Sequence, residues 1–278
     1  MNKIMRPAYR KMFSKNLSVR FISSVAVFFP AIVFVVLGDV YIIAFVVFLA
    51  GMMSWEIAKT ILANEKLIFI GLSIFVSIIS VVVFGTHFGD KIVRITGAIG
   101  LFPLLLLIWL LKNPNVAMKL VLGNILIIIP CWCILWLRFS IELNLLLWVL
   151  ASVIATDVGA YFFGKFIGGK KLAPRISPNK TWAGLLGGIV GSIIVGLVFG
   201  FAWIDADLIC LAVTGAILAI ISQLGDLIES GYKRQYGLKD SSGLIPGHGG
   251  VLDRLDGHMA AVTLITLIIV FTDSPFLW

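Results

Sequence analysis

Residues 182–203 read WAGLLGGIVGSIIVGLVFGFAW and contain no charged side chain. A helix needs about 20 apolar residues to cross the roughly 30 Å hydrocarbon core of a bilayer, and this run supplies them without interruption. Runs of the same kind recur on both sides of it, along the whole 278 residues. Hydrophobic residues make up 60% of the chain and charged ones 13%, about half of the roughly 25% charged residues usual in a soluble domain. No soluble domain of useful size is left, and the chain is expected to be an all-α, polytopic integral membrane protein. Nine transmembrane helices are predicted, at 20–37, 40–57, 67–84, 92–111, 118–137, 143–164, 182–203, 208–228 and 258–272. The second and eighth carry carboxylates near their ends, and the last is short for a full crossing. The first follows a basic stretch and lacks a small-residue cleavage site, which fits an uncleaved anchor better than a signal peptide. Cys131, Cys133 and Cys210 lie in apolar runs with no metal-ligand partner at a recognisable spacing, so they read as packing residues. Gly184, Gly188, Gly191 and Gly196 in the quoted run suit close helix packing, with entry of a lipid chain between helices as the alternative.

Charge placement predicts the orientation. With the N-terminus cytoplasmic, the 22 lysines and arginines fall inside except for Lys91, Arg94 and Arg138. The positive-inside rule then favours a cytoplasmic N-terminus and a C-terminus outside. A net charge of +8 reports this topology rather than nucleic-acid binding. Two cytoplasmic segments, 165–181 and 229–257, are longer than the other connections and hold most of the polar chemistry; long ordered loops more often carry function. The chain therefore divides into N-terminal transmembrane helices at 1–142, about five spans, and a C-terminal catalytic region at 143–278 with those two loops.

The richest stretch, 230–257, is SGYKRQYGLKDSSGLIPGHGGVLDRLDG. Just before it, Asp226 lies within or at the edge of an apolar span, where an ionised carboxylate is costly and usually faces a polar cavity with a partner. Ser230, Lys233 and Arg234 follow at spacings that place them on the Asp226 face of a helix. Asp253 and Asp256, in DRLD, are three apart. Carboxylates from two segments, together with phosphate oxygens and water, are the usual way to hold Mg²⁺. The interleaved lysines and arginines suit a metal–polyphosphate complex, against the simpler reading of a structural ion-pair cluster. The PGHGG turn offers open backbone N–H groups; alone, His248 reads as a hydrogen-bonded turn residue before a ligand or base. In the other loop, GKKLAPRISPNKTWAG, Ser177 and Pro178 are expected to open a turn, and Lys180 and Thr181 lie at a helix N-terminus that favours anions. Lys170, Lys171 and Arg175 fit contact with anionic headgroups. Asp157, in ATDVGAYFFG, is a further carboxylate inside an apolar segment, functional by default.

Together these residues carry a resemblance. The pattern S-x-x-K-R-x4-K-D-x5-P-G-H-G-G-x2-D-R-x-D, from Ser230 to Asp256, resembles the signature of phosphatidate cytidylyltransferases, also called CDP-diacylglycerol synthases. QLGDLIES, SPNKTWAG and the D-x-x-A-Y-x-x-G at Asp157 are similar to family motifs as well, whereas the N-terminal half matches in hydropathy alone. Two positions depart from the pattern: Ala183 stands where the family usually has glutamate, and Gly257 where serine is common. The resemblance implies a nucleotidyltransferase that moves the cytidylyl group of CTP to phosphatidic acid and releases pyrophosphate. It also implies Mg²⁺ held by Asp226 and Asp253, with Asp256 supporting that shell and a second metal ion left open. Lys233 and Arg234 would hold phosphates, Lys239 and Arg254 more weakly, and Ser230 would donate to a phosphate oxygen. Lys180 and Ser177 would approach from the other loop, and His248 would shape the turn or steady the pyrophosphate. The expected partners are CTP, phosphatidic acid and membrane lipids, not nucleic acid, with a homodimer left open. The expected location is a cell's inner membrane, with the active site facing the cytoplasm. A related CTP-dependent polyprenol or lipid kinase, and an ion-coupled transporter using Asp157 and Asp226, remain as alternatives. The transporter would show paired repeats with binding near the midplane, and no repeat is visible.

Overall fold

The computed structural model describes residues 29–62, 67–85, 111, 113–202, 207–245, 247 and 249–272. Residues 29–37 are helical and lead into α1 (Asp39–Ile61). There follow α2 (Leu67–Gly85), α3 (Pro114–Trp136) with a π-helical extension Leu137–Ile141, and α4 (Leu143–Phe166). A two-stranded antiparallel hairpin, β1 (Lys171–Ala173) and β2 (Ser177–Thr181), precedes α5 (Trp182–Ala202), α6 (Leu208–Gln235) and α7 (Leu252–Thr272). Six of these helices, α1 and α3 to α7, are long and apolar enough to cross a membrane, and α2 contains a shorter apolar stretch, Ile68–Val83. The chain is thus a helical, polytopic membrane protein. Of the nine expected spans, 92–111 lies outside the described residues apart from Leu111, and only 29–37 of the first is described.

Helix α6 continues past the expected span end at 228 to Gln235, keeping Ser230, Lys233 and Arg234 on the helix as their spacing predicts, and Glu229 and Lys233, one turn apart, pair within it. Two sequence expectations change. The last helix begins at Leu252 rather than 258, since the amides at its start are capped by one carboxylate distant in sequence, Glu56 (below). Ser177 and Pro178 do not open a turn: they start strand β2, and the turn falls at 174–176, closed by the Ile176 N–H donating to the Ala173 carbonyl at 3.2 Å.

Small residues let α4 and α5 touch backbone to backbone, as the glycine spacing predicts. A Cβ on Gly191 would lie 2.6 Å from the Ala155 carbonyl oxygen, and one on Gly188 would lie 3.0 Å from that of Thr156. Gly191→Leu therefore forces the helices apart, and overpacking of this kind costs about 1–3 kcal/mol. A thermal melt in detergent should show the loss, and an unchanged melting temperature would mean that the two helices do not pack through this face.

In the N-terminal half, Asn124 on α3 joins three helices from a fully buried position. Its Oδ1 accepts from Ser54 on α1 (2.8 Å) and Ser77 on α2 (2.5 Å), and its Nδ2 donates to Ser73 (2.9 Å) and the Leu120 carbonyl (2.8 Å). Each hydrogen-bonding position of the amide is filled, as a polar group away from water requires. At one end of the bundle Arg138 donates to the carbonyls of Val35 (3.0 Å) and Val36 (3.5 Å), closing the end of helix 29–37. Gly38 follows with φ 70°, and a side chain there would meet the Arg138 guanidinium. The opposite end carries the ends of α1, α4 and α6, the starts of α3, α5 and α7, and the hairpin. Lys119 at the start of α3 lies 5.8 Å from the Tyr236 ring just past α6, tying the two halves together there.

Candidate functional site

At that second end a cavity of about 380 Å³ opens between α4, α6 and α7. It is lined by Asp157 and its neighbours Ile154 and Val158 on α4, by Asp226 and Lys233 on α6, by Asp240, and by Asp253, Arg254 and Asp256 on α7. A charged cavity at the end of an apolar bundle requires internal partners, and most of these groups have one.

Helix α6 supplies the first set. Asp226 Oδ2 is 2.7 Å from the Lys180 ammonium, and Asp226 Oδ1 accepts from the Ser230 hydroxyl one turn later at 3.2 Å. Lys180 reaches in from strand β2 and also donates to the Gln223 carbonyl at 3.1 Å. The Gln223 amide in turn donates to Asp157 Oδ1 at 3.5 Å. The hairpin therefore delivers a lysine to the carboxylates of α4 and α6, and the SPNKT strand is what points it there.

Lys233 is the second centre. Its buried ammonium lies 2.5 Å from Glu229 Oε2 and 2.6 Å from Asp253 Oδ1. Asp253 also accepts from the backbone N–H groups of Ser241 (2.9 Å) and Gly250 (2.7 Å). A carboxylate with one cation and two amides is held firmly as an anion, and the charge-assisted contacts fix its direction. Gly249 is needed beside it, because a Cβ at φ 87° would run into Asp253 Oδ2.

The metal-binding question turns on a different set of oxygens. Among the described residues, Asp226, Glu229 and Asp256 each present a carboxylate oxygen within 4.8 Å of the others. Asp226 and Asp256 face the polar cavity and Glu229 lies buried behind them against Lys233; such hard oxygen donors fit a small divalent cation that completes its shell with water and phosphate. The resemblance implies Asp226 and Asp253 as ligands with Asp256 in support; in the fold all three line one cavity, Asp226 and Asp256 cluster with Glu229, and Asp253 contacts Lys233 and the loop amides. Gly225 makes this approach of α6 and α7 feasible: a Cβ there would be 2.8 Å from the Asp256 carbonyl oxygen.

The remaining expected residues divide. Arg254 lines the cavity. Arg234 does not: it is exposed and donates to the carbonyls of Leu238 (2.8 Å) and Ile176 (3.3 Å), pinning the hairpin turn to the end of α6. Lys239 is exposed and Ser177 half-buried, and neither lines the cavity. His248 lies outside the described residues. Of the two departures, Ala183 is half-buried in the first turn of α5 and is not part of the lining. Gly257 packs on α6, where a Cβ would be 3.3 Å from the Ser222 carbonyl oxygen.

A family model described as the cytidylyltransferase family matches residues 18–272. The chain belongs to the cytidylyltransferase family. Its curated relatives include the phosphatidate cytidylyltransferase of Brucella suis biovar 1 (strain 1330), 48% identical over 122 residues, which are 44% of this chain and 45% of the relative. That of Staphylococcus haemolyticus (strain JCSC1435) is 47% identical over 131 residues, 46% of this chain and 50% of the relative. That of Staphylococcus epidermidis (strain ATCC 12228 / FDA PCI 1200) is 43% identical over 137 residues, 49% and 50% of the two chains. The chain spans about half the length of the curated relatives it matches.

Two carboxylates of this cytidylyltransferase-family chain escape a motif reading. Glu229 stands inside QLGDLIES and follows Asp226 at helical spacing, but its place beside Asp226 and Asp256 is visible only in the fold. Glu56, on α1, is fully buried and accepts four hydrogen bonds from the segment 241–252. Its one sequence signal is an acid near the end of an apolar span, in WEIAK.

Proposed function

We propose that the chain transfers the cytidylyl group of CTP to phosphatidic acid, giving CDP-diacylglycerol and pyrophosphate. The observation that carries this reading is the cavity itself: Asp157, Asp226, Asp240, Asp253 and Asp256 line it together with Lys233 and Arg254 at one end of a membrane-spanning bundle, with Lys180 paired to Asp226, and Glu229 clustered behind. A lipid-phosphate acceptor accounts for the membrane setting, and a soluble triphosphate for the polar opening. An oxygen of the phosphatidate monoester attacks the α-phosphorus of CTP; the new P–O bond forms as the bond to the pyrophosphate oxygen breaks. That monoester, with a second pKa of about 6, is mostly dianionic near neutral pH, so no strong general base is called for. The work is alignment and neutralisation of charge.

Asp226, Glu229 and Asp256 would hold Mg²⁺, and the bound ion would offset triphosphate charge and favour in-line geometry. Lys180 is the mobile cation of the site: it exchanges its Asp226 contact for a phosphate oxygen when nucleotide enters. Lys233 stays anchored by Asp253 and Glu229 and presents a fixed positive field to the leaving pyrophosphate. Arg254 grips an outer phosphate, and Ser230 orients Asp226. The C-terminal region 143–278 carries this chemistry. The basic residues support the orientation. Among the described residues Arg138 is the cation at the far end, while Lys165, Lys170, Lys171, Arg175, Lys180, Lys239 and Arg254 gather at the cavity end. That end is cytoplasmic, in a nine-span chain whose N-terminus is inside, in the inner membrane of the cell.

The test is purified protein in detergent with phosphatidic acid, Mg²⁺ and α-labelled CTP, followed for label in the lipid phase and for pyrophosphate. Label in lipid equal to pyrophosphate released, and abolished by EDTA, is the expected outcome. γ-Phosphate in the lipid with CDP released would make the chain a lipid kinase, and no turnover with any lipid phosphate would remove the reading.

A further inference from the structure

Helix α1 belongs to the half of the chain in which no catalytic motif is visible, yet it reaches the site through one side chain. Glu56, fully buried, accepts from the Ser242 hydroxyl (2.5 Å) and the Val251 amide (2.9 Å) on Oε1. On Oε2 it accepts from the Leu252 amide (2.8 Å) and the Ser241 hydroxyl (3.1 Å). Four donors satisfy both oxygens of this buried carboxylate away from water. Val251 and Leu252 are at the first turn of α7, where helix amides have no partner within the helix and favour negative charge. Glu56 thus caps α7 from another helix.

The same short segment is gripped from its other side by Asp253. Ser241 gives its hydroxyl to Glu56 and its amide to Asp253. Gly250 gives its amide to Asp253, and its bare Cα leaves the room in which Ser241 Oγ and the Glu56 carboxylate meet. An antiparallel bridge between Ile245 and Gly249 closes the loop between these two clamps. Asp240 and Arg254, which flank the clamped residues, both line the cavity, and Asp253 is the anchor of Lys233.

We propose that Glu56 is a positioning residue for nucleotide binding: from the N-terminal half it sets the register of segment 240–254, and through Asp253 it sets the direction of Lys233. This rests on the cytidylyl-transfer reading in that the fixed groups face the triphosphate. Glu56→Gln keeps the volume but turns one accepting oxygen into a donor facing donors. Ser242→Ala removes one hydrogen bond from a half-buried position and is not expected to disturb folding.

Steady-state kinetics on full-length protein in detergent should show KM for CTP raised about tenfold in Glu56→Gln, the order expected for one lost charge-assisted hydrogen bond. A smaller rise is expected in Ser242→Ala, and KM for phosphatidic acid should stay unmoved in both. Hydrogen exchange on the same samples should show lost protection at 241–252 and unchanged protection in α4 and α5. A fall in kcat alone, with KM for CTP unchanged, would overturn the proposal, because it is what a smaller folded fraction produces. So would wild-type values for KM and exchange. If the wild-type protein turns over no CTP, the functional reading fails instead, and the exchange arm still decides whether Glu56 holds the loop.

Discussion

Asp226→Asn is expected to lower the proposed cytidylyl transfer by about 10³-fold, the loss seen when one preorganised electrostatic group is removed from a site of this kind. Asp226 is where three contacts meet: Lys180 at 2.7 Å, Ser230 at 3.2 Å, and the oxygens of Glu229 and Asp256 within 4.8 Å. Asparagine keeps the shape and can still accept from Ser230, so the protein should insert and elute as wild type does from a sizing column in detergent. What disappears is the charge that would draw a divalent ion and hold Lys180. Raising Mg²⁺ should not restore the rate. A variant that turned over at the wild-type rate would refute the metal role of Asp226 outright.

Lys233→Met should be harmful in a second way. Removing this cation leaves Glu229 and Asp253, both buried, facing each other without a counter-charge. Breaking a buried pair from one side typically costs about 3–5 kcal/mol, more than the pair contributes when intact. Thermal unfolding in detergent should therefore drop markedly, together with turnover. The double variant Glu229→Gln with Lys233→Met separates the two effects: neutralising one stranded carboxylate should recover much of the stability and none of the activity. If the double variant were no more stable than the single one, the Glu229–Lys233 contact would not be what stabilises this end of α6.

The helices α1 and α3 to α7 are legible because a bilayer imposes one rule, length of apolar run, and these runs obey it. The site was legible as a set of residues but not as a set of partners. Asp253 and Asp256, three residues apart, share one side of α7 and both line the cavity, yet the first pairs with Lys233 and the second lies near Asp226 and Glu229, a division that spacing alone does not give. At about 100° per residue, Arg234 stands about 80° around α6 from Asp226, enough to aim it at the hairpin and not into the cavity. The hairpin itself gave no signal, since its strands are short, half-exposed and without alternation. Glu56 was legible as an acid near the end of a span but not as the cap of α7: its partners are 185 to 196 residues away, and no local pattern encodes a contact at that separation.

Helix α6 is 28 residues long and unbroken. From Leu208 to Asp226 it rises about 27 Å at 1.5 Å per residue, close to the thickness of the hydrocarbon layer. Asp226 thus stands about one hydrocarbon thickness along the helix from its start, and Glu229 and Lys233 lie a further turn or two beyond it. Under the proposed transfer, a lipid acceptor would not need to be lifted out of the bilayer to react, and its product could diffuse away sideways at the same height. The helix would then act as a gauge rod, fixing the altitude at which a water-borne nucleotide and a membrane-borne phosphate come face to face.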